Sequence, residues 1–329
     1  MKHIFSFLLL LLCFVSCSSS DDNAEKTKED TACLEKPTAT TAFTIENAPV
    51  IDGSDSTEPP RTLLMCRLLG IDCEWMKDDT YTLTWRVFAD YRSLSVENRN
   101  LLNKKLLNWN THQSFVDCID GKNDIIITAR GISRDESVYA KEKGVELLSR
   151  PIAKDAFVFI VNAGNPVKNL TVEQVKKIYM GEITNWKEVG GNDAPIVPYV
   201  RNANSGSQEK METVVMAGLT MPEWKELTLF TMISPYIQLD SDVNGICYTP
   251  YYYFSSIVRP EQIKMVSLDG IMPAKETIKN GTYPYITEVM TSVRADIDKS
   301  STAYQLFYGL STGYYNNIID ESGYIVYSK

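Results

Sequence analysis

Histidine is the scarcest chemistry-bearing residue in this chain of 329, which has only His3 and His112. With so few, His-built zinc sites and His-pair acid–base catalysis are all but excluded. An excess of positive charge is missing too: 33 Lys and Arg stand against 42 Asp and Glu, a formal charge of −9. A nucleic acid or an anionic membrane surface calls for a basic face and is therefore disfavoured as a partner, although a local basic pocket stays open. No hydrophobic run after residue 17 reaches the roughly 20 residues that a spanning helix needs. The seven cysteines show neither metal-ligand spacing nor a disulfide framework, and neither a metal nor another cofactor is expected. What is present is the composition of a folding globular protein, 44% hydrophobic and 23% charged, with length enough for two lobes.

The chain opens MKHIFSFLLLLLCFVSC. Lys2 supplies a charged start, Ile4 to Val15 an apolar run, and Ser16 a small residue before Cys17, which is the plan of a secretory signal. The ending Phe14-Val15-Ser16-Cys17 resembles the lipobox of bacterial lipoproteins, in which the cysteine thiol is lipidated before cleavage and becomes the new N-terminus. Residues 1–16 then form a signal peptide, Cys17 is a lipid anchor, and residues 17–43, polar and charged, form a flexible tether. The protein is expected to be exported and anchored to a cell-envelope membrane, facing the periplasm or the cell surface. Cys33 falls in the tether. Cys66 and Cys73, seven residues apart on one helix, make a poor disulfide pair, and Cys118 and Cys247 read as buried free thiols.

From Thr44 onward short β-branched runs alternate with helical segments, the pattern of an α/β architecture with parallel strands. Strands are expected at 124–128, 157–161, 196–200 and 264–268, and a last helix and strand in the aromatic tail from Gly313. Thr171-Val-Glu-Gln174 is a capping box that opens a helix over 171–180 with Gly181 as its stop, and Ser205-Gly-Ser-Gln208 has the same form.

Three loops share one design, a strand that ends at hydroxyl residues where a helix begins. Side-chain hydroxyls, backbone N–H groups and a helix N-terminus converge there, which suits an oxyanion. The first is Asp52-Gly53-Ser54-Asp55-Ser56-Thr57, whose glycine allows close backbone approach. The second is Asn110-Thr111-His112-Gln113-Ser114. The third runs from Arg201 to Gln208, where a forked cation joins Ser205, Gly206 and Ser207. Strand 124–128 ends at Thr128, with Ala129 and Arg130 following. Each residue alone has a plainer use as a cap, a turn former or a surface cation. Their joint occurrence at strand-to-helix junctions, where ligands of open α/β sheets bind, carries the case.

The stretch Asn165-Pro-Val-Lys-Asn-Leu-Thr-Val-Glu-Gln174, continuing through Ile178-Tyr-Met-Gly-Glu-Ile-Thr-Asn-Trp186 to Gly191, and the turn Arg201-Asn-Ala-Asn-Ser205-Gly-Ser207 resemble the phosphate-binding proteins of ABC importers. The likeness runs over most of residues 50–329. It implies a type II periplasmic-binding-protein fold, two α/β lobes joined by two crossing strands with the ligand cleft between them. Lobe 1 would comprise 44–156 and 284–329, and lobe 2 would comprise 157–283. By the same resemblance the anion site falls on Ser54, Ser56, Thr57, Thr111, Ser114, Thr128, Arg201, Ser205, Gly206 and Ser207, with Asp55, Arg130 and Gln208 as possible additions. Phosphate specialists place a carboxylate beside the strand-end hydroxyl to accept the proton of HPO4, where this chain has Ala129. Asp55 can substitute if its loop turns inward.

The expected function is a monomeric, lipid-anchored solute-binding protein that captures inorganic phosphate or a similar oxyanion for an ABC permease. The alternative is the same fold with another ligand, as a sensor or surface-adhesion lipoprotein, suggested by Ala129, by the long segment holding Trp85, Trp109 and Arg99 to Lys105, and by the aromatic run Tyr248 to Phe254. An enzyme is not expected, because nothing supplies an activated nucleophile with its base or metals.

Overall fold

The computed structural model describes residues 34–78, 84–203, 205–227 and 231–327. The signal segment, Cys17 and Cys33 lie outside the described residues. The ordered body begins before the expected boundary at residue 44: Thr38 N donates to Lys299 O at 3.1 Å, and Thr41 exchanges bonds with the Gln305 side chain through both its N–H and its carbonyl. Residues 36–43 therefore belong to the compact unit that runs to Lys329.

Thirteen strands are present among the described residues: β1 (Ile51–Gly53), β2 (Cys73–Lys77), β3 (Trp85–Ala89), β4 (Ile125–Thr128), β5 (Leu147–Asn162), β6 (Asn169–Leu170), β7 (Val197–Val200), β8 (Lys225–Glu226), β9 (Gly245–Pro250), β10 (Ile263–Met265), β11 (Ser267–Leu268), β12 (Ile286–Arg294) and β13 (Ile325–Val326). Nine of them form one sheet in the order β1-β4-β12-β5-β9-β7-β8, with β10 and β13 also paired to β5. The expected parallel strands are present, beside antiparallel ones. β1 with β4, and β7 with β8 and β9, run parallel, whereas β12 and β5 are antiparallel to their neighbours.

The reason is β5. The expected strand 157–161 is only the second half of a 16-residue strand, which pairs with β12 as far as Ala156 and with β9 from Phe157. Its first half carries Ser149, Pro151, Lys154 and Asp155, which hid it from a hydrophobic-run reading. The two α/β lobes meet along β5 and β12. The expected strand 264–268 is likewise two, because β10 closes against the end of β5 while β11 turns to pair with β6.

The helix over 171–180 and the tail form as expected. The Thr171 hydroxyl accepts from Gln174 N, the Gln174 side chain accepts from Thr171 N, and Gly181 ends the helix at φ 77°. The tail forms helix Asn316–Glu321 and β13. Cys66, Cys73, Cys118 and Cys247 are free thiols. Cys66 and Cys73 are not on one helix as expected, since Cys66 is helical and Cys73 opens β2. Burial pushes both the Cys118 and Cys247 thiols up to about 12, so they behave as apolar core groups.

β1 and β4 position the site. β4 is buried along its whole length, and Gly53 lies opposite Ile127 in register. A Cβ at Gly53 would come 1.8 Å from the Ile127 carbonyl oxygen and 2.8 Å from Thr57 Oγ1. Gly53→Ala must therefore push the first loop off the sheet. A urea denaturation midpoint for this variant should report a loss of at least about 3 kcal/mol, the upper range of core overpacking.

Candidate functional site

After Gly53 the chain turns through Ser54 to Thr57 and enters helix Glu58–Leu69, whose first turn holds Pro59 and Pro60. Arg61, one turn in, is 1% exposed. Its Nε donates to Thr57 O at 3.1 Å, Nη2 to Ser54 O at 3.1 Å and Asn108 Oδ1 at 2.7 Å, and Nη1 to Leu107 O. Asp52 lies 3.7 Å from Nη1 and accepts from the N–H groups of Gly53 and Trp109. Burial raises the Asp52 pKa and lowers that of Arg61. Each charge is sustained by the other and by the main chain.

The Asn110 side chain caps helix Thr111–Ile119 by accepting from Gln113 N, which frees the Thr111 hydroxyl to meet Ser54 Oγ at 2.7 Å. Ser54 Oγ also accepts from Ala129 N at 3.0 Å. One hydroxyl thus joins the first loop, the second loop and the end of β4. Ser114 Oγ sits 3.1 Å from Gly53 O and 3.0 Å from Asn110 O, Thr57 Oγ1 bonds to Ser54 O and Ile127 O, and Thr128 Oγ1 donates to Arg130 O. These three hydroxyls brace the loops from behind.

In the third loop the expected capping box does not form. Ser205 is the N-cap of helix Gly206–Lys210 but makes no side-chain cap bond. Gln208 turns away instead. Its Oε1 accepts from Arg201 N at 3.1 Å and from Tyr248 OH, and its Nε2 donates to Glu212. Tyr248 lies on β9, distant in sequence, and its pull decides the outcome. The Ser205 hydroxyl is left without a hydrogen-bond partner among the described residues.

These elements enclose a cavity of about 210 Å³. From one side it is lined by Ser54, Asp55, Ser56 and Thr111, and from the other by Arg201, Ser205, Gly206 and Ser207. Of the expected residues, Thr57, Ser114, Thr128, Arg130 and Gln208 do not line it. Arg130 is taken by Glu136, with Nη1–Oε2 and Nη2–Oε1 both at 2.8 Å. Burial alone would raise the Glu136 pKa, but Arg130 and the Ser133 N–H bring it below its ordinary value, so the pair is ionised and closed.

Asn110, His112, Asn202, Lys210, Met232 and Pro250 line the cavity too. The second loop named Asn110 and His112 as its members and the third loop includes Asn202, while nothing in the sequence marked Lys210, Met232 or Pro250 as ligand-facing. The Arg201 guanidinium reaches Met232 Sδ at 3.5 Å, its Nε has no partner, and it makes no ion pair among the described residues. Asp55 turns inward. Burial raises its pKa, opposed by Arg61 and Arg201. No group of three or more His, Cys, Asp or Glu among the described residues could hold a metal ion.

A wider cleft of about 950 Å³ adjoins the cavity and shares Asp55 and Met232 with it. The long segment between the first two loops folds here as the β2–β3 hairpin, and Arg259 lies over the Trp85 ring at 4.3 Å. Within the aromatic run, Tyr252 stacks on Tyr324 at 3.7 Å as packing, while Tyr253 faces the wider cleft.

A hydroxyl-lined cavity between two lobes, with a buried arginine beside it, defines the class as a solute-binding protein of the two-lobed type. The chain belongs to the PBP superfamily, whose domain model matches residues 111–294. It is 26% identical over 217 residues to the phosphate-binding protein PstS of Borreliella burgdorferi, covering 61% of this chain and 71% of that one. To PstS of Staphylococcus epidermidis it is 28% identical over 179 residues, covering 53% of this chain and 54% of the relative, so it spans about half that protein's length. An ABC-type phosphate transport receptor from Vibrio cholerae has the same fold, with a TM-score of 0.56 at 22% identity, covering 84% of this chain and 98% of that one.

Gly206 marks the closest approach across the cavity. A Cβ there would come 2.9 Å from Thr111 Oγ1, the oxygen already bonded to Ser54. Gly206→Ala should part the Thr111–Ser54 hydroxyl pair and hold the two walls apart. Small-angle scattering with saturating inorganic phosphate is expected to give a larger radius of gyration for this variant than for the unaltered chain, and calorimetry a weaker affinity.

Proposed function

We propose that this protein captures inorganic phosphate, or a similar tetrahedral oxyanion, between its lobes and delivers it to an ABC permease. The observation that carries the reading is the convergence of hydroxyls from three loops, on opposite walls of one small cavity, around a guanidinium with no ion-pair partner among the described residues. Such a site replaces the ion's water shell with fixed donors, and closure hides the ion from solvent. No bond is made or broken. The relatives named PstS support the phosphate assignment.

Each wall has a role. Ser54 accepts from Ala129 N and can donate its proton to Thr111, which leaves the Thr111 proton for the ion. Ser205 and Ser207 face it from the other wall, and Arg201 supplies charge. Asp55 supplies the acceptor that Ala129 does not. Ionised, it receives the proton of HPO4, which fully ionised sulfate lacks. The division into 44–156 with 284–329 and 157–283 is supported by the change of partner on β5 between Ala156 and Phe157. We also assign residues 1–16 as the signal, Cys17 as the lipid anchor and the cell envelope as the location. The wider cleft beside the cavity favours a second reading, in which the same fold holds an oxyanion with an organic group as a sensor or adhesion lipoprotein.

Calorimetry of the protein freed of endogenous ligand separates these readings, with inorganic phosphate, sulfate and organic phosphates as titrants. Arg201→Ala and Ser205→Ala are each expected to weaken phosphate binding by about tenfold or more. Unchanged affinity in both removes the site assignment. Asp55→Asn should weaken phosphate while narrowing its advantage over sulfate, and a discrimination ratio equal to that of the unaltered chain rules out Asp55 as the proton acceptor.

A further inference from the structure

Lys210 closes helix Gly206–Lys210 with its side chain 4% exposed, and it lines the small cavity together with Arg201 and Asp55. Its ammonium donates to Thr287 Oγ1 at 3.1 Å and has no ion-pair partner among the described residues. Asp155, the register partner of Thr287 across β5 and β12, acts on it from beyond ion-pair distance. Asp155 Oδ1 is already engaged by the N–H groups of Ala156 at 2.8 Å and Tyr252 at 3.0 Å. An ammonium carries three donors, and a buried one without a carboxylate partner is costly unless something else supplies the acceptors. The open space it borders is the cavity.

The geometry points to Lys210 as a second cationic ligand of the captured anion, one that ties the ion to the strand pair joining the lobes. This rests on the oxyanion reading above and adds to it the charge preference of the site. Arg201 and Lys210 face the cavity against one carboxylate, Asp55, so Lys210 takes the site from no net charge to one net positive charge and makes it better suited to an anion than Arg201 alone would. Burial draws the ammonium down to about 8, with Asp155 pulling it up and Arg130 down. A bound anion stabilises the charged form. At pH 8 the unaltered chain should therefore take up a proton at Lys210 on binding, beyond any exchanged by the phosphate itself.

The test is calorimetry with inorganic phosphate, sulfate and methylphosphonate on the unaltered chain and on Lys210→Met, Lys210→Gln and Lys210→Arg, each first shown by thermal melting to be folded. Lys210→Gln keeps a donor for Thr287, on a side chain one atom shorter, while losing the charge, so it serves where Lys210→Met does not fold. About tenfold weaker phosphate binding in the uncharged variants and retention within about threefold in Lys210→Arg are expected. The dependence of the enthalpy on buffer at pH 8 should fall in Lys210→Gln relative to the unaltered chain. Equal affinity and equal proton uptake in Lys210→Gln overturn the role of Lys210 alone. Failure of the unaltered chain to bind any of the three anions overturns the oxyanion reading and this inference with it.

Discussion

A guanidinium that scarcely meets water sets the shape of the first anion loop. Arg61 draws the carbonyl oxygens of Ser54, Thr57 and Leu107 to itself and is balanced by Asp52. The loop backbone is thereby fixed from beneath, and its serine hydroxyls are left for the cavity above. Stability alone is a poor reason for such a pair, because well-packed apolar residues in place of a buried ion pair are often neutral or stabilising. What Arg61 contributes is direction. Donors that must replace a hydration shell are useful only if they are already aimed when the ion arrives.

Charge at the cavity is local in the same sense. The formal −9 of the whole chain does not oppose an anionic ligand, since exposed charges are screened over about 8 Å in physiological salt, while Arg201 is buried against the cavity. Neutral hydroxyls dominate the lining, and Arg130, which might have added a third cation, is neutralised by Glu136. That pairing keeps one strong positive charge out of a site that must also release its ion.

Much of this was legible in the sequence where the determinants are local. The Thr171 capping box needs only four residues and a following glycine. The hydroxyl loops announce themselves because a strand, a short polar run and a helix follow one another directly. Long-range determinants were not legible. Gln208 satisfied the same local pattern as Gln174, yet Tyr248 claims it. Arg61 carries no local mark of its burial, because Leu107 and Asn108, which it binds, are far from it in the chain. Lys210 has no local signal at all, because its hydrogen-bond partner, Thr287, lies on a strand far away in the chain. The first half of β5 was missed because Ser149, Lys154 and Asp155 interrupt its apolar pattern, and a pattern of buried apolar residues cannot register a strand whose neighbour, β12, arrives so much later.

That late arrival constrains how the protein is made. Thr128 at the end of β4 pairs with Met290 of β12, so β4 has β1 on one side and an open edge on the other until nearly the whole chain has been synthesised. An open strand edge carrying three consecutive isoleucines is a template for wrong pairings. Contacts of such sequence separation also slow folding. The architecture that brings the two walls of the cavity together therefore leaves a long interval in which that edge of β4 is unpaired, and the interval ends only when β12 is laid into the gap between β4 and β5.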